Sequence, residues 1–434
     1  MATNRGERAL LTLSVLAGVL VLALASVALG LTFGNGLTAA RPAAAVRIDV
    51  AGSDVGATAM AIAAGGGHTC ALTSAGGVKC WGQNLFGQLG DGTTIDRTTP
   101  VDVAGLQSGV IAVAAGGLHT CALTAGGGVK CWGLNAFGEV GAATTELCGW
   151  APSPCSTIPL DVIGFEAGVA AIAAGSSHTC AVTARGAAKC WGFGPDGQLG
   201  TPASDSCVGW GAPLPCSKTP ADVRGLRNGV KTIDAGVDHS CALTARGGVK
   251  CWGGNFAGQL GDGTISGHTT PRYVVGLHRG VTSITTGNNY TCAVTTGGGV
   301  TCWGIGEEGQ LGVWPANDLN PIPLDVAELG AEAGAVTAGG WHTCALTVEA
   351  GVKCWGLNTL GQIGDGTTDQ RFIPVDVLGL GSGVAAIEAG ELHTCALTTA
   401  GRVKCWGSNQ FGQLGDGTTA THSTTPVDVV GFGP

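Results

Sequence analysis

Two cysteines ten residues apart recur seven times along this chain, and each pair brackets the same turn. The pairs are Cys70 and Cys80, Cys121 and Cys131, Cys180 and Cys190, Cys241 and Cys251, Cys292 and Cys302, Cys344 and Cys354, and Cys395 and Cys405. In the first copy His68-Thr69-Cys70-Ala71-Leu72-Thr73 leads into a Ser-Ala-Gly-Gly turn, and Val78-Lys79-Cys80-Trp81-Gly82 leads out of it. Residues pair across an antiparallel hairpin with a constant index sum, so Cys70 opposite Cys80 sets Leu72 opposite Val78 and leaves a loop from Ser74 to Gly76. Cross-strand neighbours that are not hydrogen-bonded to each other are close enough for a disulfide. Each bridge closes a loop of about eleven residues and contributes roughly 2.5 to 3 kcal/mol on a chain-entropy model.

A length of 434 residues would allow two or three ordinary domains, but a fixed internal period overrides that prior and points to one repeat architecture. Each repeat holds a small apolar strand such as Ile62-Ala63-Ala64, the cysteine hairpin, a Gly87-Gln88-Leu89-Gly90-Asp91-Gly92-Thr93 stretch and a closing Pro100-Val101-Asp102-Val103. The runs are short, are broken by Gly and Asp-Gly, and lack the 3.6-residue apolar period of a helix. The predicted fold is therefore all-β: a seven-bladed propeller with about four strands in each blade. The 78 glycines are turn residues at fixed places in the repeat. Eight copies of a Val-Asp-Val type of strand, from Arg47-Ile48-Asp49-Val50 to Pro426-Val427-Asp428-Val429, accompany seven hairpins. The C-terminal copy is favoured to complete the last blade, because it keeps the proline and follows its own hairpin; the N-terminal copy is the alternative.

Successive first cysteines lie 51, 59, 61, 51, 52 and 51 residues apart. The two long intervals place insertions near 147–157 and 204–218, where the remaining cysteines fall: Cys148 with Cys155, and Cys207 with Cys216. Each of these is expected to form its own small disulfide loop. Eighteen cysteines at regular spacings suit an oxidising compartment. The N-terminus agrees, since Arg5 and Arg8 precede an uncharged run from Ala9 to Ala40 that is dense in Leu, Val and Ala. Residues 1–38 read as a signal peptide or a signal anchor, 39–45 as a short linker and 46–434 as the propeller. Both readings of the first segment place the repeats outside the cytoplasm, secreted or anchored. A net charge of -9 repels phosphate backbones, which argues against nucleic acid as a partner.

The signature His-Thr-Cys-Ala-Leu-Thr, Val-Lys-Cys-Trp-Gly-x-Asn and Gly-Gln-Leu-Gly-Asp-Gly-Thr resembles the regulator of chromosome condensation repeat family over about residues 46 to 434. The resemblance implies a seven-bladed propeller. It implies function less sharply, since this fold serves nucleotide exchange on a small GTPase, ultraviolet sensing in plants and inhibition of β-lactamases. The plant photoreceptors carry Gly-Trp-Arg-His-Thr. Here the sixth repeat has Gly339-Gly340-Trp341-His342-Thr343, with its tryptophan one place later, and the other repeats lack it. A disulfide pair in every blade and an export segment also set this chain apart from nuclear members.

Residues that repeat identically read as scaffold. The tryptophans that follow each second cysteine, Trp81 to Trp406, are assigned to packing between blades. The histidines that begin each hairpin, His68 to His393 with Tyr290 in the fifth place, are expected to bond to backbone rather than to metal. Gly192 to Gly197 and Gly304 to Gly309 match a dinucleotide fingerprint, but no helix follows to hold a pyrophosphate. The Asp-Gly turns at Asp91, Asp262, Asp365 and Asp416 each offer one carboxylate, too few for an independent calcium site. No catalytic constellation is found, and no enzyme activity, cofactor or metal is expected.

Function is expected where the repeats disagree. Candidate binding residues are Trp150 and Trp210 in the cysteine loops, Trp314 in the divergent fifth repeat, Trp341, and the loop aromatics Phe86, Phe137, Phe256 and Phe411. The implied partner is another protein or a cell-surface polymer. A monomer is expected, with any membrane contact made through the N-terminal segment; the alternative function is guanine nucleotide exchange on a small GTPase.

Overall fold

The computed structural model describes residues 57–209, 212–313 and 318–433. The N-terminal segment, the Arg47 to Val50 strand, Trp210 and Trp314 lie outside the described residues. The hairpin register follows from the cysteine spacing: Cys70 faces Cys80, and Leu72 faces Val78. Their Cα atoms stand 4.1 Å apart, close to the separation of a non-hydrogen-bonded antiparallel pair. In the first blade the strands are Ala59–Ala64, His68–Thr73, Val78–Gly82 and Arg97–Asp102, hydrogen-bonded in that order. The fourth strand carries a proline, and its ladder is interrupted there: Cys80 faces Val101, but Gly82 faces Arg97. A residue without an N–H is tolerated at such an interruption.

Seven such sheets make up the described residues. Blades two and three gain a fifth, outermost strand from their insertions, Glu146–Cys148 and Asp205–Gly209. The C-terminal strand His422–Asp428 completes the last blade, and Ala57 bridges Phe432. The first strands of neighbouring blades touch all the way round, with Ala59–Ala64 meeting both Val110–Ala115 and Val384–Ala389. The ring therefore closes within residues 57–433.

Most of the core lies between blades. Trp132 of blade two is fully buried among Cys70, Leu72, Val78, Cys80 and Leu89 of blade one. Trp81 takes the same place against Cys395, Leu397 and Cys405 of blade seven. A tryptophan removes on the order of 200 Å² from water, which is roughly 5 kcal/mol as an upper bound and more than a hairpin disulfide contributes.

Polar groups finish each seam. The Gln88 carbonyl accepts from the Trp132 indole N–H at 2.9 Å and from the Thr120 hydroxyl at 2.7 Å. With its proton on Gln88, Thr120 Oγ1 accepts from His68 Nε2–H at 2.9 Å. The same link recurs round the ring to His393 and Thr69 at 2.8 Å, with Ser240 replacing threonine once. In the fifth blade the Tyr290 hydroxyl donates instead to the His342 carbonyl at 2.6 Å. The histidines are thus tied to the next blade's hydroxyl, where the sequence reading expected backbone. The threonine or serine of the next blade supplies the oxygen. Burial, with smaller help from neighbouring imidazoles, pushes His68 down to about 3, and burial pushes His119 down to about 4. His68 and His119 are therefore neutral donors.

Glycines permit the close approach at the axis. A Cβ on Gly116 would stand 2.5 Å from the Gly175 carbonyl oxygen, and one on Gly390 would stand 2.6 Å from that of Gly65. Gly334, on an inner strand with ordinary backbone angles, would place its Cβ no closer than 3.6 Å to any neighbour. We therefore expect Gly116→Ala to cost about 1 to 3 kcal/mol by overpacking against rigid backbone. Gly334→Ala should be neutral or slightly stabilising. Equilibrium denaturation of the two variants beside the parent checks this, and equal effects would refute the axial constraint.

Candidate functional site

Each blade contributes two loops to one face of the ring, the short turn after the first strand and the long loop between the third and fourth strands. The long loops of blades one, four and six are held alike by Asn84, Asn255 and Asn358. In the first blade Asn84 Oδ1 accepts the Leu89 N–H at 2.9 Å, and its Nδ2 donates to Asp91 Oδ1 at 3.1 Å and to the Ile95 carbonyl at 3.1 Å. Asp91 also accepts the Thr93 hydroxyl at 2.7 Å, and its other oxygen accepts the Arg97 guanidinium at 2.7 Å. Despite partial burial, which works the other way, these bonds hold the Asp91 carboxyl below its usual range. The Asp-Gly carboxylates are thus turn locks. Among the described residues, the one convergent trio of metal-type side chains is Glu146 with Cys148 and Cys155. Its cysteines form a disulfide and Glu146 accepts the Thr157 N–H, so no ligand set remains.

The insertions are disulfide-closed hairpins on adjacent blades, Cys148–Cys155 and Cys207–Cys216, each with Cα atoms 5.9 Å apart. Trp150 sits at the tip of the first and is 94% exposed. Leu147 and Val208, beside the buried cysteines, are 65% and 77% exposed. Sequence reasoning passed over these two, although strand alternation carries the signal: a neighbour of an inward-facing cysteine must face out.

The loop aromatics separate into two groups. Phe256 is 60% exposed and Phe411 36%, while Trp341 is half-buried near the axis on blade six. Phe411 lines a 190 Å³ cleft with Asp96 and Thr98 where blades seven and one meet. Phe137, however, is buried, 4.6 Å from the Phe193 ring and packed on the Cys207–Cys216 disulfide. Phe86 is half-buried, and its ring lies against Gly149 of the next blade's hairpin. The expectation that Phe137 contacts a partner is corrected, because the inserted hairpin of blade three covers it; Phe86 is partly covered by that of blade two. Trp150, Phe256, Trp341 and Phe411 lie on different blades and do not form one cluster.

Acidic groups add asymmetry. Gly254 leaves room for the Asp238 carboxylate, which accepts from Gln259 Nε2 at 3.1 Å. Burial, and then the Asp238 charge, raise the Asp196 carboxyl. Burial raises Glu391 to about 7.

These repeats match the description "Regulator of chromosome condensation (RCC1) repeat" at residues 61–88, 110–139, 169–198, 230–259, 281–310, 335–362 and 384–413. A second profile of the same description matches 75–123, 188–243, 246–294, 352–397 and 400–433. The chain belongs to this repeat family. It is 31% identical over 366 residues to the ultraviolet-B receptor UVR8 of Arabidopsis thaliana, covering 82% of this chain and 79% of the relative. It is 30% identical over 395 residues to the secretion-regulating guanine nucleotide exchange factor of Mus musculus, covering 85% and 82%. The structure of Prp20p from Saccharomyces cerevisiae, a protein described by its binding to Gsp1p and histones, superposes with a TM-score of 0.69 at 22% identity over 81% of this chain and 85% of that one. At that identity the likeness shows the fold alone.

One departure from the repeat lies beneath Phe137. Glu139 occupies the place of Gln88, Gln198, Gln259, Gln310, Gln362 and Gln413, and its Oε2 accepts the Phe137 N–H at 2.8 Å as the glutamine oxygens do. Burial raises its carboxyl to about 8. The folded chain thus favours the protonated acid, whereas the unfolded chain ionises it in the ordinary range. The penalty is absent below about pH 4, grows as pH rises and is complete above about pH 8. Glu139→Gln should stabilise by on the order of 1 to 3 kcal/mol at about pH 8 and leave stability unchanged near pH 4. Thermal melts across that interval check the sign.

Proposed function

We propose that this propeller is a non-catalytic, extracytoplasmic binding protein that recognises another protein or a cell-surface polymer through the loops of the face just described. The observation that carries the reading is the pair of disulfide-closed hairpins on an otherwise repeating ring, with Trp150 almost wholly in solvent. A disulfide and the prolines around it lower the conformational entropy of such a loop before a partner arrives. Tryptophan is also a favoured interface anchor, and a well-stabilised ring has no packing need to display one. Phe256 and Phe411 extend the contact to other blades.

Nine disulfides, with no free cysteine among the described residues, support an oxidising compartment. The N-terminal apolar run supports export, as a cleaved signal or as an anchor, and the partner is then extracytoplasmic. Nucleotide exchange on a small GTPase is the second reading, favoured by the likeness to the mouse exchange factor. Nine disulfides oppose it.

Affinity capture from extracytoplasmic material, with bound species identified by mass spectrometry, tests the proposal. Trp150→Ala should lose the partner by about tenfold or more, as expected for an exposed interface tryptophan, and Trp150→Ala with Phe256→Ala by more. Capture that is unchanged in both variants would remove this face from the interface. Acceleration of nucleotide release from a GTPase by the pure protein would establish the second reading instead.

A further inference from the structure

The opposite face carries the turns between second and third strands and the loops that join one blade to the next. Most cations elsewhere have partners. Lys79, Lys130, Lys189, Lys353 and Lys404 pair with aspartates on the neighbouring strand at 2.6 to 2.8 Å. Arg97 and Arg371 close the Asp91 and Asp365 turns. On blades three and four the turn face breaks this pattern: Arg185, Arg224, Arg227, Lys231, Arg246 and Arg279 are all exposed, and none takes part in a salt bridge.

Backbone hydrogen bonds set these residues side by side. The Val230 N–H donates to the Gly186 carbonyl at 3.0 Å, so the Arg227 loop abuts the Arg185 turn. The Ala245 N–H donates to the Gly229 carbonyl at 2.8 Å, which brings the Arg246 turn against the other side of that loop. The Val281 N–H donates to the Gly247 carbonyl at 3.0 Å and adds the Arg279 loop. Arg185, Arg246 and Arg279 each precede a glycine with φ of 76° to 81°, at the apex where the chain reverses. Residues 183–187, 224–230, 244–248 and 275–280 contain no carboxylate. Glu166 borders the arc, while Glu328, Glu332 and Glu349 lie on this face at blades five and six. In a chain of net charge -9, the described arginines that form no salt bridge thus lie on this one arc, apart from the half-buried Arg402 of blade seven. A cavity of 610 Å³ lies beside Arg224 and Arg227, with Asp222, the partner of Lys189, also on its wall.

The chain enters the ring on this same face. Ala57 bridges Phe432, the Ser74 N–H donates to the Thr58 carbonyl, and the Ala59 N–H donates to the Gly401 carbonyl, all among the turns. The described chain therefore begins on the same face as the arc, at the junction of blades seven and one. We propose that the arginine arc of blades three and four contacts the phosphate headgroups of an anionic membrane surface and orients the ring with its insertion-bearing face outward. Guanidinium groups match phosphate with paired N–H donors, and a row of turn apices fits a plane of headgroups. The orientation rests on the anchor reading of the N-terminus; the lipid contact rests on the arc alone.

Sedimentation of residues 46–434, which contain the closed ring of 57–433, with phosphatidylcholine vesicles and with vesicles containing about 30% phosphatidylglycerol tests the contact. Capture should be about tenfold greater on the anionic vesicles and should fall away at about 0.5 M salt, where charges more than a few ångströms apart are screened. The quadruple variant Arg185→Gln, Arg227→Gln, Arg246→Gln, Arg279→Gln should lose it. Lys79→Gln, Lys130→Gln, Lys353→Gln, Lys404→Gln removes the same charge elsewhere and should keep it, with melting curves showing both variants folded. Equal capture on the two vesicles, undiminished capture by the arginine variant, or binding to soluble polyphosphate or polyglutamate without vesicle binding would each overturn the proposal. N-terminal sequencing of the mature chain tests the anchor separately, since a cleaved terminus leaves the vesicle result untouched.

Discussion

One backbone carbonyl in each blade holds the ring together. The carbonyl of Gln88, or of Glu139 in the second blade, accepts both the indole N–H and the hydroxyl of the following blade. Except where Tyr290 replaces histidine, the hydroxyl, its proton committed, then accepts the imidazole N–H of the preceding one. Each link contributes only about 1 kcal/mol net, but a seam that buried these donors without partners would cost more than that at every group. Satisfying them admits a tryptophan to the seam, and the tryptophan supplies the apolar area that small Ala-rich inner strands lack. The same seam recurs between blades seven and one, so the closure uses no special device.

This arrangement explains why the most chemically suggestive residues are inert. Histidine, cysteine and tryptophan stand together in every hairpin but the fifth, yet the cysteines are oxidised, the tryptophans are wholly buried and burial keeps His68, His119, His178, His342 and His393 neutral. Their number follows from the number of seams. Differences between blades are free to serve other ends, and they fall on two faces: apolar and acidic side chains with the hairpin insertions on one, an arginine arc on the other.

The hairpin register, the pairing partners within a blade and the place of each insertion were legible because they depend on residues near in sequence. The imidazole-to-hydroxyl link was not, since it joins residues more than fifty positions apart whose relation exists only once two blades have docked. Phe86, Phe137 and Phe411 occupy the same repeat position and read alike. Their exposure is set by the next blade: blade three brings an insertion that covers Phe137, blade two one that partly covers Phe86, and blade one brings none, so Phe411 reaches solvent.

The sequence by itself determined the repeat, its strand order, the cysteine partners and the seven-fold count, because each is a local property copied along the chain. Tertiary structure decided which aromatic side chains are available, why a glutamate can replace a glutamine, and that scattered arginines share one arc. The reason is geometric. In a propeller each blade's loops are finished by its neighbour, so exposure and charge grouping belong to pairs of blades, and the opening cysteine hairpin, identical in every one, could reveal the frame but not what the frame displays.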